Sequence, residues 1–294
     1  MRPKVLVTGG AGFVGSALIN KLVASNDVVS VDNYSSGKES NHIEGCEYFD
    51  LDIVDVDDFS FLGDLSFIFH LAANARILSS FKEPDRYFKS NVVGTYNICK
   101  FASSKKIPII YAGSSSHHGG RFRNPYTFTK DLGEDIVRMH QECYQMQASI
   151  ARFYNVYGPG ESIDQNATLI GKWKGLLNLG KKLCIYGDGS KRRDFTHVDD
   201  VVDGLLRIMN KSAYGHVFEI GRGKNYSVME VLEMFGQKDV SFEPDRPGEV
   251  DSTLCDNSLA KQILDWEPKH NLEDYISQIS RSSSSMSLSN VISQ

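Results

Sequence analysis

Residues 4–23 read KVLVTGGAGFVGSALINKLV: a short β-branched apolar run, a glycine-rich turn, then apolar residues at helical spacing. This junction constrains the fold more than any other stretch. A strand that turns straight into a helix through Gly9, Gly10, Gly12 and Gly15 has room for a tight reversal and for close helix–strand contact. It also lets a ligand approach bare backbone. Both Gly10-x-Gly12-x-x-Gly15 and Gly9-x-x-Gly12-x-x-Gly15 fit a turn that cradles a pyrophosphate, with free N–H groups at the helix start. Alone, such a triplet is equally a plain strand–helix turn, so its context decides.

The context favours a dinucleotide. A second strand, DVVSVD, ends in Asp32, 17 residues after Gly15. A carboxylate there accepts hydrogen bonds from ribose hydroxyls and repels a 2′-phosphate, which points to NAD over NADP. A third strand, CEYFDLDI, ends at Asp52 and Ile53, placed to bracket an adenine. The fourth, LSFIFHLAAN, ends in small Ala72 and Ala73. Residues 85–106 read as a helix carrying Asn91, followed by the strand IPIIYAG. Strands and helices alternating at this spacing predict an α/β fold, a doubly wound parallel sheet of Rossmann type, with ligands at the carboxyl ends of the strands. We expect residues 1–160 to form this domain, its sheet completed by parts of 195–210. A smaller, partly interleaved C-terminal substrate lobe is expected over 161–280. The serine-rich 281–294 lacks a helical period and is expected to be disordered.

Bulk properties exclude several classes. The 294 residues are 41% hydrophobic and 23% charged, as in ordinary globular chains, and are enough for a large core. A net charge of −5 argues against a general nucleic-acid or anionic-membrane surface. Five scattered cysteines with no Cys-x-x-Cys argue against a disulfide framework or a metal site. The opening segment runs directly into a strand without a leader-type apolar region, and no apolar run is long enough for a membrane span. A cytoplasmic protein is expected.

The stretch AGSSSHHGGRFRNPYTFTK, residues 112–130, holds a possible catalytic pair, Tyr126 and Lys130. The spacing recurs at Tyr34/Lys38 and Tyr96/Lys100. Tyr34 lies in a loop rich in serine and glycine, and Tyr96 lies inside a helix away from a strand end. Only Tyr126 opens a helix just after the fifth strand, where residues four apart share a face. His117 and His118 read as loop residues. Arg121 and Arg123 fit either anion steering or plain surface charge.

The chain resembles the extended short-chain dehydrogenase/reductases, in particular their nucleotide-sugar epimerases. The resemblance is carried by VTGGAGFVG, VDNYSSG, LDI, HLAA, NVVGT, GSSS, YTFTK, RFYNVYGPG, YGDGSKRRDFTHVDDVVDG and RPGEV, in order from residue 7 to about 250. It implies a Ser-Tyr-Lys set at Ser114, Tyr126 and Lys130, with Ser115 as the alternative hydroxyl. It implies NAD contacts at Gly9, Gly12, Phe13, Val14, Gly15, Asp32, Asn33, Ser36, Gly37, Asp52, Ile53, Leu71, Ala72, Ala73, Asn91 and Tyr154, besides Tyr126 and Lys130. Asn155, Arg193, Arg246 and Thr253, together with Ser114 and Ser115, are implied on the substrate side. The two arginines would grip a diphosphate, for which planar guanidinium suits well. For Arg193, an ion pair with Asp199 or Asp200 is the plain alternative. The chain departs from the family in one respect: the loop between serine and tyrosine is shorter, as surface loops tolerate.

The resemblance also limits the reaction. Family 4,6-dehydratases carry an Asp-Glu pair just after the catalytic hydroxyl, decarboxylases a Glu two places after it, and keto-deoxy sugar reductases a Cys where this chain has Ser116. Here Ser115 and Ser116 stand in those places. The implied activity is redox-neutral 4-epimerisation of a UDP-hexose or UDP-N-acetylhexosamine, the small Thr253 leaving room for an N-acetyl group. The alternatives are another nucleotide-sugar enzyme of the family (4-keto reductase, dehydratase or decarboxylase) and a non-catalytic NAD-binding scaffold. Homodimerisation is implied as well.

Overall fold

The computed structural model describes residues 2–164 and 167–291. Six parallel strands arise in chain order: β1 (Lys4–Thr8), β2 (Asp27–Asp32), β3 (Cys46–Asp50), β4 (Phe67–His70), β5 (Ile109–Ser114) and β6 (Ala148–Phe153). Strand Val217–Ile220 joins beside β6, so the order across the sheet is Val217–Ile220, β6, β5, β4, β1, β2, β3. β1 therefore lies between β2 and β4, where the order reverses, and a crevice opens at the strand ends there.

The strands are apolar on both faces because both are covered. Val5 and Val7 of β1 enter one buried cluster and Leu6 enters the other. Helix α1 (Phe13–Leu22) packs Leu18, Ile19 and Leu22 into the first cluster. Helices α2 (Ile77–Lys82), α3 (Pro84–Phe88), α4 (Thr95–Lys105) and α5 (Pro125–Tyr144) follow β4 and β5. Of these, α4 and α5 pack Ile98, Phe101 and Val137 into the second cluster. The helix expected over 85–106 contains a π-helical turn at Lys89–Gly94, which places Asn91 inward. Gly94 is needed there, because an added Cβ would lie 2.6 Å from Ile53.

Helix α5 starts where local chemistry tells it to. Pro125 occupies the first turn, and Asn124 caps it by accepting from Thr127 N at 2.8 Å. It ends at Gln145, in the left-handed region at φ +56°.

Two boundaries differ from expectation. The stretch 195–210 does not complete the sheet: it supplies a short strand, Thr196–His197, paired with Val156–Tyr157 outside it, and helix Val198–Asn210. Val198, Val201, Val202, Leu205 and Ile208 are buried at helical spacing, so the segment covers a sheet face and Val217–Ile220 takes the edge. The C-terminal helix, Leu272–Val291, runs through most of the serine-rich stretch expected to be disordered. Leu272, Ile276 and Ile279 pack its first turns, and serine costs a helix only tenths of a kcal/mol, roughly, per residue once it is nucleated. Residues 292–294 of that stretch lie outside the described residues.

The remaining chain forms a second core around Trp173, Phe195, Tyr226 and Phe235, with small strand pairs. Ala260, Leu264 and Trp266 return to the first core, so the two parts interleave.

Candidate active site

The glycine turn is crowded where it must be and open where a ligand would enter. Gly9 has φ +76°, and a Cβ on it would lie 2.8 Å from Ala72 N. A Cβ on Gly15 would lie 2.2 Å from the Gly9 carbonyl, so α1 crosses the turn in direct backbone contact. No side chain caps α1, and its first turn holds no acid, which leaves its N–H groups for an anion. Asp32 ends β2 with Oδ2 accepting from Ala11 N and Oδ1 from Tyr34 N, each at 2.9 Å. Burial raises its pKa, opposed by those backbone bonds. Asn33 Nδ2 donates to Asp52 Oδ2 at 2.7 Å, joining two strand ends beside buried Ile53. Gly37 lets the 33–38 loop press on Ala11, with Ser36 exposed at its rim. Phe13, Val14, Leu71, Ala72 and Ala73 are half-buried around the same crevice. Uncapped N–H groups, close-packed glycines and an acid at the end of β2 fit an adenine dinucleotide.

At the end of β5, Ser114 Oγ accepts from the Tyr126 hydroxyl at 3.0 Å and from Ser116 N at 3.2 Å. Ser115 is buried beside it. Burial raises the Tyr126 pKa, while the Ser114 hydrogen bond and the charge of Arg76 pull it back. Lys130 is buried, donates to Ala112 O at 2.6 Å and lies 4.2 Å over the Tyr111 ring. Burial brings its pKa down to about 7.

Beneath this pair lies a buried charge network. Glu134 accepts from Arg152 Nε at 2.8 Å and Nη2 at 2.6 Å, and Arg152 Nη1 donates to Glu219 Oε1 at 3.0 Å. His118 joins the same Glu219 oxygen at 2.9 Å, and His117 pairs with Asp131 at 2.9 Å. The two histidines thus fasten the short loop to the sheet edge and to α5.

Across the cleft, two arginines converge on one acid. Arg193 Nη2 lies 3.2 Å from Glu249 Oε2, and Arg246 Nη1 lies 3.7 Å from Glu249 Oε1. The Arg246 guanidinium also stacks 3.5 Å over Tyr186. Asp200 is not the partner of Arg193; it is held by Lys269 N, His270 N and the His270 ring. Arg123 donates to the Glu249 carbonyl at 3.1 and 2.6 Å, and Asn124 Nδ2 to the Gly248 carbonyl at 3.1 Å. Asn155 Nδ2 donates to Asp194 O at 3.1 Å, and Thr253 Oγ1 accepts from Asp194 N at 3.2 Å.

Residues 5–221 match the NAD dependent epimerase/dehydratase family. The chain belongs to that family. It is 31% identical to the UDP-glucose 4-epimerase of Mycolicibacterium smegmatis, with 94% of this chain and 96% of that protein covered. The solved UDP-glucose 4-epimerase of Thermotoga maritima, with UDP-glucose, is 29% identical at a TM-score of 0.89, covering 97% of this chain and 99% of that one. The UDP-glucuronic acid 4-epimerase of Bacillus cereus, in complex with UDP-glucuronic acid and NAD, is 25% identical at a TM-score of 0.87, covering 96% and 99%.

As a member of the epimerase/dehydratase family, the chain holds three of the predicted residues in hydrogen bonds of its own. Asn91 is fully buried: its amide accepts from Asn74 N at 2.8 Å and donates to Asn74 O at 3.0 Å and Thr129 Oγ1 at 3.1 Å. Its side chain thereby positions the loop after β4. Tyr154 is 1% exposed and its hydroxyl donates to Glu219 Oε2 at 2.9 Å. Lys130 aims its ammonium at the Ala112 carbonyl, a strong acceptor within reach of a buried cation. Glu134, Arg152, Glu219 and Glu249 were not singled out from sequence. For the first three the available signal was charge set among the apolar residues of buried elements, as in ASIARF and HVFEI. Arg121 pairs with Asp135 at 2.7 Å as surface charge.

Proposed function

We propose that this protein is an NAD-dependent nucleotide-sugar 4-epimerase acting on a UDP-hexose or UDP-N-acetylhexosamine. The observation that carries this reading is the Tyr126–Ser114 hydrogen bond at the end of β5, beside the glycine turn, with Ser115 and Ser116 where elimination would need an acid. When bound, NAD supplies a hydride acceptor that returns what it takes, which makes inversion at C4 redox-neutral.

The residues do the rest. Tyr126, as phenolate, takes the proton of the sugar 4-hydroxyl and later restores it, and Ser114 Oγ holds that hydroxyl and relays its proton; a nearby Lys130 ammonium favours the phenolate. Lys130, fixed to Ala112, sets the positive side of the pocket floor. Gly9, Gly12, Phe13, Val14 and Gly15 would hold the pyrophosphate, Asp32, Asn33, Ser36 and Gly37 the ribose, and Asp52 and Ile53 the adenine. Leu71, Ala72 and Ala73 would line the nicotinamide side. Arg193 and Arg246 would take the substrate diphosphate in place of Glu249, with Asn155, Ser115 and Thr253 around the sugar. Residues 1–160 serve the cofactor and 161–280 the substrate, apart from the segments that return to the sheet.

The test is an NMR time course of purified protein with UDP-glucose, UDP-N-acetylglucosamine and UDP-glucuronate. The reading predicts a C4 epimer from at least one sugar that disappears in Tyr126→Phe. No epimer from any of them, with NAD added, would overturn it.

Exposed Phe88, Tyr96, Phe122 and Tyr144 on and around α3–α5 support a homodimer through this face, to be checked by light scattering. Among the described residues no helix is long and apolar enough to cross a membrane. The five free cysteines support a cytoplasmic location.

A further inference from the structure

Arg76 is a guanidinium at this cleft with neither a carboxylate partner nor a carbonyl from another segment among the described residues. Arg152 is held by Glu134 and Glu219, Arg193 and Arg246 share Glu249, Arg121 has Asp135, and Arg123 has the Glu249 carbonyl. Arg76 makes one side-chain hydrogen bond, a 3.4 Å contact to the carbonyl of its own neighbour Ala75, and is exposed. An arginine normally gains from a planar, two-pronged acceptor, and here none is supplied.

Its backbone, by contrast, is fixed. Arg76 N donates to Tyr87 Oη at 3.2 Å, and the Tyr87 ring stands edge-on to Tyr126 with centroids 6.4 Å apart. Two residues earlier, Asn74 is gripped through both backbone groups by buried Asn91. The free guanidinium is therefore presented from an anchored loop, one ring away from the phenol that must touch the reacting sugar. Its charge acts on Tyr126 and also on Glu161, across the cleft. Glu161 forms no ion pair with it and is held by Thr168. The arginines suited to a diphosphate stand in the other lobe, whereas Arg76 stands on the Tyr126 side of the cleft.

We propose that Arg76 selects the sugar, and that the preferred nucleotide sugar carries a carboxylate on its sugar ring. This rests on the epimerase reading above. Hydroxyls would offer Arg76 only neutral single acceptors, whereas a carboxylate completes a charge-assisted, two-pronged pair.

The test is calorimetric binding of UDP-glucuronate, UDP-glucose and UDP-N-acetylglucosamine to the NAD-loaded protein, with turnover followed by NMR in parallel. The parent is expected to bind UDP-glucuronate roughly tenfold or more tighter than the neutral sugars. Arg76→Gln should collapse that ratio toward one and Arg76→Lys should restore part of it, in proteins whose circular dichroism matches the parent. A parent that binds neutral sugars as well as the acidic one, or a variant that weakens all three equally, would overturn the proposal. The binding ratio is read without turnover, so a failure of epimerisation itself would show separately, as the lack of a C4 epimer from every sugar.

Discussion

The Tyr126 hydroxyl donates to Ser114 Oγ across 3.0 Å, tying the second residue of α5 to the last residue of β5. Ser114 is oriented in turn by Ser116 N, so the tyrosine meets a hydroxyl that is already aimed. Removing the phenol oxygen while keeping the ring should cost about 10²–10⁴ in kcat, the usual span for a positioned acid–base group. Tyr126→Phe should stay folded, since one hydrogen bond at the cleft is worth about 1 kcal/mol. Unchanged kcat in the NMR assay would place the chemistry elsewhere.

Lys130 links the site to pH. Burial lowers its pKa to about 7, well below the ordinary lysine value. Between those two values the unfolded chain binds the proton and the folded chain does not, so this group's share of stability rises with pH across that window. Below about 7 the full cost of a buried ammonium is felt. Lys130→Met should therefore gain stability over the parent near pH 6, the gap narrowing by about pH 10, while kcat falls roughly tenfold or more. Urea unfolding of both proteins at the two pH values measures it, and a pH-independent gap would refute it.

Arg152 holds two buried acids apart from each other's charge. Burial alone would raise the Glu134 carboxyl, yet Arg152 and Arg138 hold it below the ordinary glutamate range. That stability is present above the ordinary range and is lost as pH falls through the lowered value. Arg152→Met, which leaves buried Glu134 with Arg138 alone and Glu219 with His118 and Tyr154, should cost about 3 kcal/mol at neutral pH. It should also flatten the loss of stability in acid, as measured by chemical denaturation from neutral pH downward.

Asp32 is aimed by two backbone N–H groups, which leaves its outer lone pairs for ribose. Asp32→Ser should weaken NAD binding by roughly tenfold and bring NADP to comparable affinity, because the repulsion of a 2′-phosphate is gone. Fluorescence titration with both reduced cofactors distinguishes this from a simple loss of folding. A variant still selective for NAD would mean that another group reads the ribose.

The sheet was legible because β1, β2 and β4–β6 are apolar runs of strand length separated by helical spacing, and both faces are covered. The glycine turn was legible because its constraints are local: Gly9, Gly12 and Gly15 answer to atoms a few residues away, or to the next strand end. The hydrogen bonds of Asn91 to Asn74 and Thr129 were not legible, since they are set by the π-helical turn, which leaves no periodic mark in sequence. The stretch 195–210 looked like sheet because the order FTHVDDVV says little, whereas burial of Val201, Val202 and Leu205 settles it as a covering helix. The meeting of Arg193 and Arg246 on Glu249 joins residues 53 apart along the chain, beyond any local pattern.

The short loop after Ser114 has one further consequence. Asn124 spends its oxygen on Thr127 N, starting the helix that carries Tyr126, and its nitrogen on Gly248 O, in the segment that carries Arg246. One amide therefore works as a gauge between the two jaws of the cleft. Together with Arg123 on the neighbouring Glu249 carbonyl, it sets the offset from proton-taking hydroxyl to guanidinium, and a ligand is measured against that interval before any chemistry begins.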